Sequence, residues 1–124
     1  MKKRVLLSIH PEYAEAILDG RKCYEFRKVL FKENVSEIVI YATSPVCRVI
    51  GKFKIDKIVS ATPEDVWEES KHAAGVTLER FYKYYAGRSV AHAIKVRNPL
   101  RFLHPKPLAK YLKSNLPPQS FCYI

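Results

Sequence analysis

The sequence lacks the features that mark several classes of protein. Its three cysteines, Cys23, Cys47 and Cys122, lie far apart and form no CxxC pair, so neither a disulfide framework nor a structural zinc site is predicted. None of the four glycines belongs to a glycine-rich phosphate loop. Because no spacing of metal ligands stands out either, we predict no metal and no other cofactor.

Long apolar runs are absent as well. No run approaches the roughly 20 residues that a membrane helix needs, so we predict no membrane partner. The basic amino terminus leads into an apolar stretch that stops at Ile9, too short for the core of a signal peptide, and this predicts a cytoplasmic protein. With 124 residues, 48% of them hydrophobic, the chain is expected to fold as one domain over residues 1–124. Its oligomeric state stays open.

Acidic side chains are missing after Glu79. Nine basic residues follow without any acidic one between them: Arg80, Lys83, Arg88, Lys95, Arg97, Arg101, Lys106, Lys110 and Lys113. The formal net charge is +10. A basic surface of this kind attracts phosphate backbones through counterion release, which favours RNA or a nucleotide as the partner. The alternative is a soluble protein that is merely cationic.

The order of patterns predicts an α+β fold. Four segments have the apolar runs or the alternation typical of strands: residues 4–9, residues 36–43, and those that begin at Val49 and Val90. Three helix starts carry a proline or a threonine: His10-Pro11, Thr62-Pro63 and Thr77. A change of apolar phase at residues 56–57 indicates a β-bulge, the device by which small sheets curl into barrels.

The helix that begins at Thr77 has an aromatic stripe. Leu78, Phe81, Tyr82 and Tyr85 recur at helical spacing, which predicts that they form one buried face.

The segment over residues 20–28 is the candidate site, because charges of both signs crowd a strand directly after a glycine turn. Tyr24 and Phe26 point to one face of that strand, whereas Glu25 and Arg27 point to the other. Strict alternation would place Lys22 with the aromatic residues, but it adjoins the turn, where that alternation need not hold. Whether Lys22 and Glu25 share a face therefore stays open.

Three chemistries fit Lys22, Glu25 and Arg27. In an enzyme, a lysine of lowered pKa would act as the base and a glutamate of raised pKa as the acid, beside an arginine that binds phosphate. In a binding cleft, the cations would hold the phosphate and Glu25 would accept from the amine of a base. The third alternative is an ion pair that only orients the strand, which would contribute about 0–1 kcal/mol if exposed.

Three further residues are candidates for ligand binding. Thr43 and Ser44 offer small hydroxyl donors at the end of a strand, and Tyr84 offers a ring on which a base could stack. Packing in the core is the alternative for Tyr84.

Several segments, taken in order, resemble the ASCH domain family. They are Gly20-x-Lys22-x-x-Glu25-x-Arg27, Tyr41-Ala42-Thr43-Ser44-Pro45 with Val49-Ile50-Gly51, Pro63 with Trp67, Thr77-Leu78 through Tyr84-Tyr85-x-Gly87, and Pro117-Pro118-Gln119-Ser120-Phe121. The resemblance implies a small mixed β-barrel of the PUA-like type with helices packed over its ends. It also implies an RNA-binding cleft along the strand that carries Lys22, Glu25 and Arg27, in an RNA-processing or regulatory role.

Enzymatic alternatives come from the same resemblance. Some ASCH proteins are similar to ribonucleases, and one branch consists of amidohydrolases that remove the acetyl group from acetylated cytidine. The catalytic set of that branch is a lysine, a threonine three residues later and a glutamate before the third helix. Lys22 matches the lysine, but Glu25 and Ala74 occupy the other two positions. The sequence therefore favours binding, leaves enzymatic activity open, and points to Lys22 and Glu25 as the catalytic residues of an enzyme.

Overall fold

Six β-strands form one sheet in the computed structural model of the protein, which describes residues 2–124. They are β1 (Lys3–Ile9), β2 (Tyr24–Arg27), β3 (Val35–Ala42), β4 (Arg48–Ala61), β5 (Ala91–Lys106) and β6 (Phe121–Tyr123). The order across the sheet is β2-β5-β4-β3-β1-β6, with β1 parallel to β3 and every other neighbour antiparallel. The sheet curls into a half-barrel, and the predicted α+β fold with a mixed sheet is confirmed.

Three α-helices complete the fold, and each begins where the sequence predicts: α1 (Pro11–Leu18), α2 (Pro63–Ser70) and α3 (Leu78–Tyr84). The hydroxyl oxygens of Thr62 and Thr77 accept from the amides of Asp65 and Arg80, at 3.2 and 3.1 Å, and so cap α2 and α3. Two single turns of 3₁₀ helix, Lys71–Ala73 and Leu108–Lys110, follow α2 and β5. No helix within residues 2–124 has the length and apolar character needed to cross a membrane.

The core lies on both faces of the central strands β1 and β3. Val5 and Ile38 pack toward α1 on one face, whereas Leu6 and Val39 pack against Leu108 on the other. This explains why residues 38–41 are continuously apolar, since a strand covered on both faces needs no polar alternation. The predicted bulge is also confirmed, because the β4–β5 register shifts between Ile55 and Lys57.

A separate aromatic core joins β2 to α2 and α3. Tyr24 and Phe26 of β2 pack there with Phe81 of α3 and with Tyr85. The predicted buried stripe is therefore right for Phe81 and Tyr85, each 2% exposed. It is wrong for Leu78 and Tyr82, which are 52% and 37% exposed, because this seven-residue helix buries only a narrow face.

Candidate functional site

A cleft of about 240 Å³ opens where β1 gives way to α1, opposite β2 and α3. Its walls come from residues 8–10 and Tyr13, from Lys22 and residues 25–27, and from Val76, Arg80, Phe81 and Tyr84. Four of the six predicted ligand-binding residues line it, namely Lys22, Glu25, Arg27 and Tyr84. Lys22 and Glu25, whose relative orientation the sequence leaves open, thus face the same cleft.

Lys22 is a buried lysine with a single strong hydrogen-bond partner. Lys22 follows the Gly20 turn, and its backbone amide donates to the Ala16 carbonyl at 3.0 Å. The residue is 2% exposed. The ammonium Nζ donates to the Ala74 carbonyl at 2.7 Å and lies 4.6 Å from the ring centroid of Phe26. Burial lowers the pKa of Lys22 to about 8, although the nearby Glu25 carboxylate opposes the shift. Lys22 therefore titrates close to neutral pH.

Glu25 and Arg27 form a buried ion pair. Arg27 Nη1 donates to Glu25 Oε2 at 3.0 Å, and the two side chains are 13% and 7% exposed. The ion pair of the third alternative is therefore present, but it is buried, so the small energy of an exposed pair does not apply to it. Removing one partner of a buried pair strands the other charge, so breaking this pair should cost far more than breaking a surface pair.

Arg27 also links the two outer strands of the half-barrel. Its Nη2 donates to the Ser120 hydroxyl at 2.6 Å, next to β6, and its Nη1 approaches the Ser8 carbonyl of β1 at 3.5 Å. Because β2 and β6 stand at opposite ends of the sheet order, these bonds join the strands by a side chain rather than by the backbone. Both terminal nitrogens of Arg27 thus have acceptors within the protein.

Tyr84 stands at the outer wall of the cleft. Tyr84 is 38% exposed, and its ring packs edge-on against the ring of Tyr85 with 4.8 Å between the centroids. Lys28 Nζ lies 4.7 Å from the centroid of the Tyr84 ring. Burial raises the pKa of Tyr84, so its phenol is neutral at physiological pH. The hydroxyl of Tyr85 lies 3.0 Å from the carbonyls of Arg27 and His92, which face each other across β2 and β5. Tyr84 thereby has a rigid support.

Thr43 and Ser44 do not line the cleft. The Thr43 amide donates to the carbonyl of Ile9, which lines the cleft. The turn at Thr43 therefore contacts a residue of the cleft wall without lining the cleft itself. Ser44 is exposed. Their predicted role in ligand binding stays a prediction.

Sequence reasoning missed the contacts that Tyr13, Arg80 and Ser120 make. The Tyr13 ring lies 5.2 Å from Lys22 Nζ, and its hydroxyl accepts from Arg80 Nη1 at 3.2 Å. Arg80 brings a 58% exposed side chain to the cleft, and its guanidinium also lies 3.5 Å from the Glu12 carboxylate. The Tyr13–Arg80 contact spans 67 positions and the Arg27–Ser120 contact spans 93, and an isolated tyrosine, arginine or serine gives no signal of such a contact. Only the motif around Ser120, noted for the family resemblance, marked that residue in advance.

The position of Ala74 separates this cleft from the amidohydrolase set. Ala74 is 2% exposed and offers Lys22 its backbone carbonyl, not a carboxylate. What the cleft does combine is a carboxylate fixed by an arginine and an ammonium that can release a proton near neutral pH. That pair can move a proton onto and off the oxygens of a substrate.

Gly75 shapes the cavity that holds Lys22, and replacing it tests this. A Cβ on Gly75 would lie 2.5 Å from Lys22 Cβ, and the backbone φ of +70° is left-handed. We expect Gly75→Ala to lower the free energy of unfolding by about 2–5 kcal/mol, the sum of overpacking and of the strained backbone. Denaturant unfolding measures the change.

Gly87→Ala is the matched control. Its φ is +80°, but no atom lies within 4 Å of the added Cβ. Only the backbone term, about 1–2 kcal/mol, should appear. Equal losses in the two variants would contradict a steric role of Gly75 against Lys22.

Comparisons with known proteins identify the family and agree with the fold. A family model described as the ASCH domain matches residues 7–100. An ASCH domain-containing ribonuclease from Zymomonas mobilis is 31% identical over 126 residues, which cover 99% of this chain and 85% of that protein. The crystal structure of ASCH from Zymomonas mobilis has a TM-score of 0.90 at 30% identity and covers 98% of this chain and 87% of that one.

A third match covers only a small part of its protein. The ATP synthase subunit alpha of Ureaplasma parvum is 29% identical over 124 residues, which are 99% of this chain but 15% of that subunit. The chain is thus similar to one segment of a much longer protein.

Proposed function

Since the chain belongs to the ASCH domain family, we propose that it binds RNA in the cleft and cleaves the bound strand there. The observation that carries the proposal is the pairing, in one cleft, of a buried lysine with a pKa of about 8 and a carboxylate fixed by Arg27. The similarity to a protein named a ribonuclease, over 99% of this chain, supports the same substrate. We predict that the RNA is met in the cytoplasm.

The proposed reaction is a transfer of the phosphodiester to the neighbouring 2′-hydroxyl. Glu25 accepts the 2′-hydroxyl proton as the 2′-oxygen attacks phosphorus, the bond from phosphorus to the 5′-oxygen breaks, and Lys22 donates a proton to that leaving oxygen. The products are a 2′,3′-cyclic phosphate and a 5′-hydroxyl. These roles reverse those expected from the sequence, because Glu25 is ion-paired and Lys22 is a hydrogen-bond donor.

The remaining residues serve binding in this proposal. Tyr84 offers a supported ring for a base. Arg80 offers a phosphate its guanidinium, which is 58% exposed and would give up its surface pair with Glu12 for that contact. We assign Arg27 to holding Glu25, since both of its terminal nitrogens donate to groups of the protein. Thr43 and Ser44 remain predicted hydroxyl donors for RNA that extends past the cleft.

The pH dependence of cleavage tests the role of Lys22 as the acid. With a pKa of about 8, Lys22 is mostly protonated at pH 7 and mostly neutral at pH 9. The rate constant at saturating RNA should therefore fall about tenfold between these two pH values, in the direction of loss at high pH. A gel assay with a short end-labelled RNA at each pH measures the rate constant. Mass spectrometry of the products tests for the 2′,3′-cyclic phosphate and the 5′-hydroxyl.

The all-2′-deoxy oligonucleotide of the same sequence is the control, because it should bind without being cleaved. RNA that binds but yields no product at high enzyme concentration would overturn cleavage and leave an RNA-binding module. Absence of binding to RNA at low ionic strength would overturn both parts of the proposal.

A further inference from the structure

A row of charged side chains crosses four neighbouring strands, away from the cleft. Arg4 of β1 lies opposite Glu37 of β3, Glu37 opposite Lys54 of β4, and Lys54 opposite Arg97 of β5. Residues directly opposite each other share a face of the sheet. At about 4.8 Å between strands, the row is about 14 Å long.

Glu37 is the buried centre of this row. It is 5% exposed, and its carboxylate lies 3.0 Å from Lys54 Nζ, 3.4 Å from Lys52 Nζ and 3.8 Å from Arg4 Nη1. Burial would raise the pKa of Glu37, but Lys54 and Lys52 outweigh burial and lower it, so the carboxylate is ionised. One carboxylate thus holds three cations in place.

The row carries more positive charge than Glu37 can balance. Arg97 lies directly opposite Lys54 on the neighbouring strand. Within residues 2–124, none of the carboxylates lies within 4.0 Å of the Arg97 guanidinium, whereas Lys54 pairs with Glu37. Four cations, counting Lys52, therefore stand against one anion. Lys52 and Lys54 border an open groove of about 470 Å³ together with Glu37, and Leu100 adds apolar surface to it.

The row is separate from the cleft but lies within reach of it. Arg4 and Ser8 fall on the same face of β1, and Ser8 lines the cleft. They are four positions apart on the strand, or about 13 Å. Leu6 lies between them on that face and is buried against Leu108, so an RNA strand that contacts both places passes around this cover.

We propose that Arg4, Lys52, Lys54 and Arg97 form a second RNA contact, which binds backbone phosphates of a strand whose reacting nucleotide lies in the cleft. This proposal rests on the RNA cleavage proposed above. Charge complementarity supports RNA, because a fixed positive row matches a chain of phosphates and needs no particular base. Linking the two contacts through one strand makes long RNAs bind more tightly than short ones.

Lys54→Gln and Arg97→Gln test the row. Each should reduce the slope of log affinity against log salt concentration for a single-stranded 12-mer by about 0.7, and weaken binding about fivefold at 0.1 M salt. The ratio of the KM for the 12-mer to the KM for a dinucleotide should rise. Lys54→Gln leaves Glu37 with two partners, and Arg97→Gln breaks no recorded ion pair, so misfolding cannot explain a shared effect.

Lys57→Gln is the matched control. Lys57 lies on the same strand and binds Glu69 at 2.9 Å with half of its side chain exposed, much like Lys54 with Glu37. Its removal should change neither the slope nor the KM ratio.

If Lys54→Gln, Arg97→Gln and Lys57→Gln have the same salt slope and the same KM ratio while RNA is still cleaved, the row is not an RNA contact. The cleavage proposal would be unaffected by that result. A wild-type protein that binds no RNA would overturn both. Binding of a polyglutamate peptide in place of RNA, with the same dependence on Lys54, would assign the row to an acidic protein and overturn the RNA contact.

Discussion

Replacing Lys22 by methionine is expected to lower the rate constant of RNA cleavage by about 10²- to 10⁴-fold, the contribution of a positioned acid. Methionine has a similar length and no branch, so it can occupy the channel between Gly75 and Phe26. The variant loses the proton donor while the cleft keeps its shape. Single-turnover cleavage of a short RNA measures the loss, and RNA affinity measured beside it shows that binding survives.

The same substitution should not destabilise the protein at pH 7. Burial of the charged ammonium, which lowers the Lys22 pKa from 10.5 to about 8, opposes folding by about 3 kcal/mol. Methionine removes that penalty, which offsets the loss of about 1–3 kcal/mol from leaving the Ala74 carbonyl without its partner. A residue that opposes folding yet fills a cleft is better explained by function than by stability.

The dependence on pH has a definite sign. Below pH 8 both folded and unfolded chains hold the Lys22 proton, but between pH 8 and 10.5 only the unfolded chain does. The free energy of unfolding of the wild type should therefore rise with pH, by about 2 kcal/mol relative to Lys22→Met between pH 7 and 9.5. Lys71→Met, which removes a half-exposed lysine, should show neither effect. A methionine variant that cleaves RNA at the wild-type rate would contradict the assignment of Lys22.

The parts of this fold that could be predicted from the sequence are those fixed by local rules. The threonine caps, the Gly20 turn and the bulge near Lys57 depend on neighbours in the chain, and the structure confirms them. The charged stretch that holds Lys22 was visible because its composition is unusual for a half-buried strand. The row of charges at Glu37 could not be predicted from the sequence, because it depends on the register of four strands.

The burial of Lys22 could not have been predicted by the same rules. Lysine is almost never fully buried, and the carbonyl that accepts from it belongs to a residue 52 positions away. The bond from Arg27 to Ser120 could not have been predicted either, because Ser120 lies 93 positions further along the chain. Such contacts follow from how the half-barrel brings its outer strands together, which no local pattern encodes.

Arg27→Met is expected to lower the free energy of unfolding by about 3–5 kcal/mol. The substitution leaves the buried Glu25 carboxylate without its cation and removes the bond to Ser120 that links β2 to β6. Arg27→Lys should recover only part of the loss, because an ammonium cannot reach both partners as the planar guanidinium does. Denaturant unfolding at pH 7 measures both variants.

Arg21→Met is the matched control for this effect. Arg21 binds Asp19 at the same distance of 3.0 Å and the same separation of two residues, but the side chains are 65% and 46% exposed. Water and salt screen such a pair, so no measurable change in unfolding is expected. Losses of similar size at Arg21 and Arg27 would show that burial is not what gives the Glu25–Arg27 pair its importance.

A double variant distinguishes the ion pair from the link between strands. If the cost of Arg27→Met comes mainly from the stranded carboxylate, then adding Glu25→Gln should recover about 1–3 kcal/mol, since a neutral amide needs no cation. If the cost comes mainly from the lost bond to Ser120, the second substitution should recover nothing, and Ser120→Ala alone should reproduce most of the loss. We expect the first result, because the carboxylate is 7% exposed and Arg27 is the only cation recorded within 4.0 Å of it among residues 2–124.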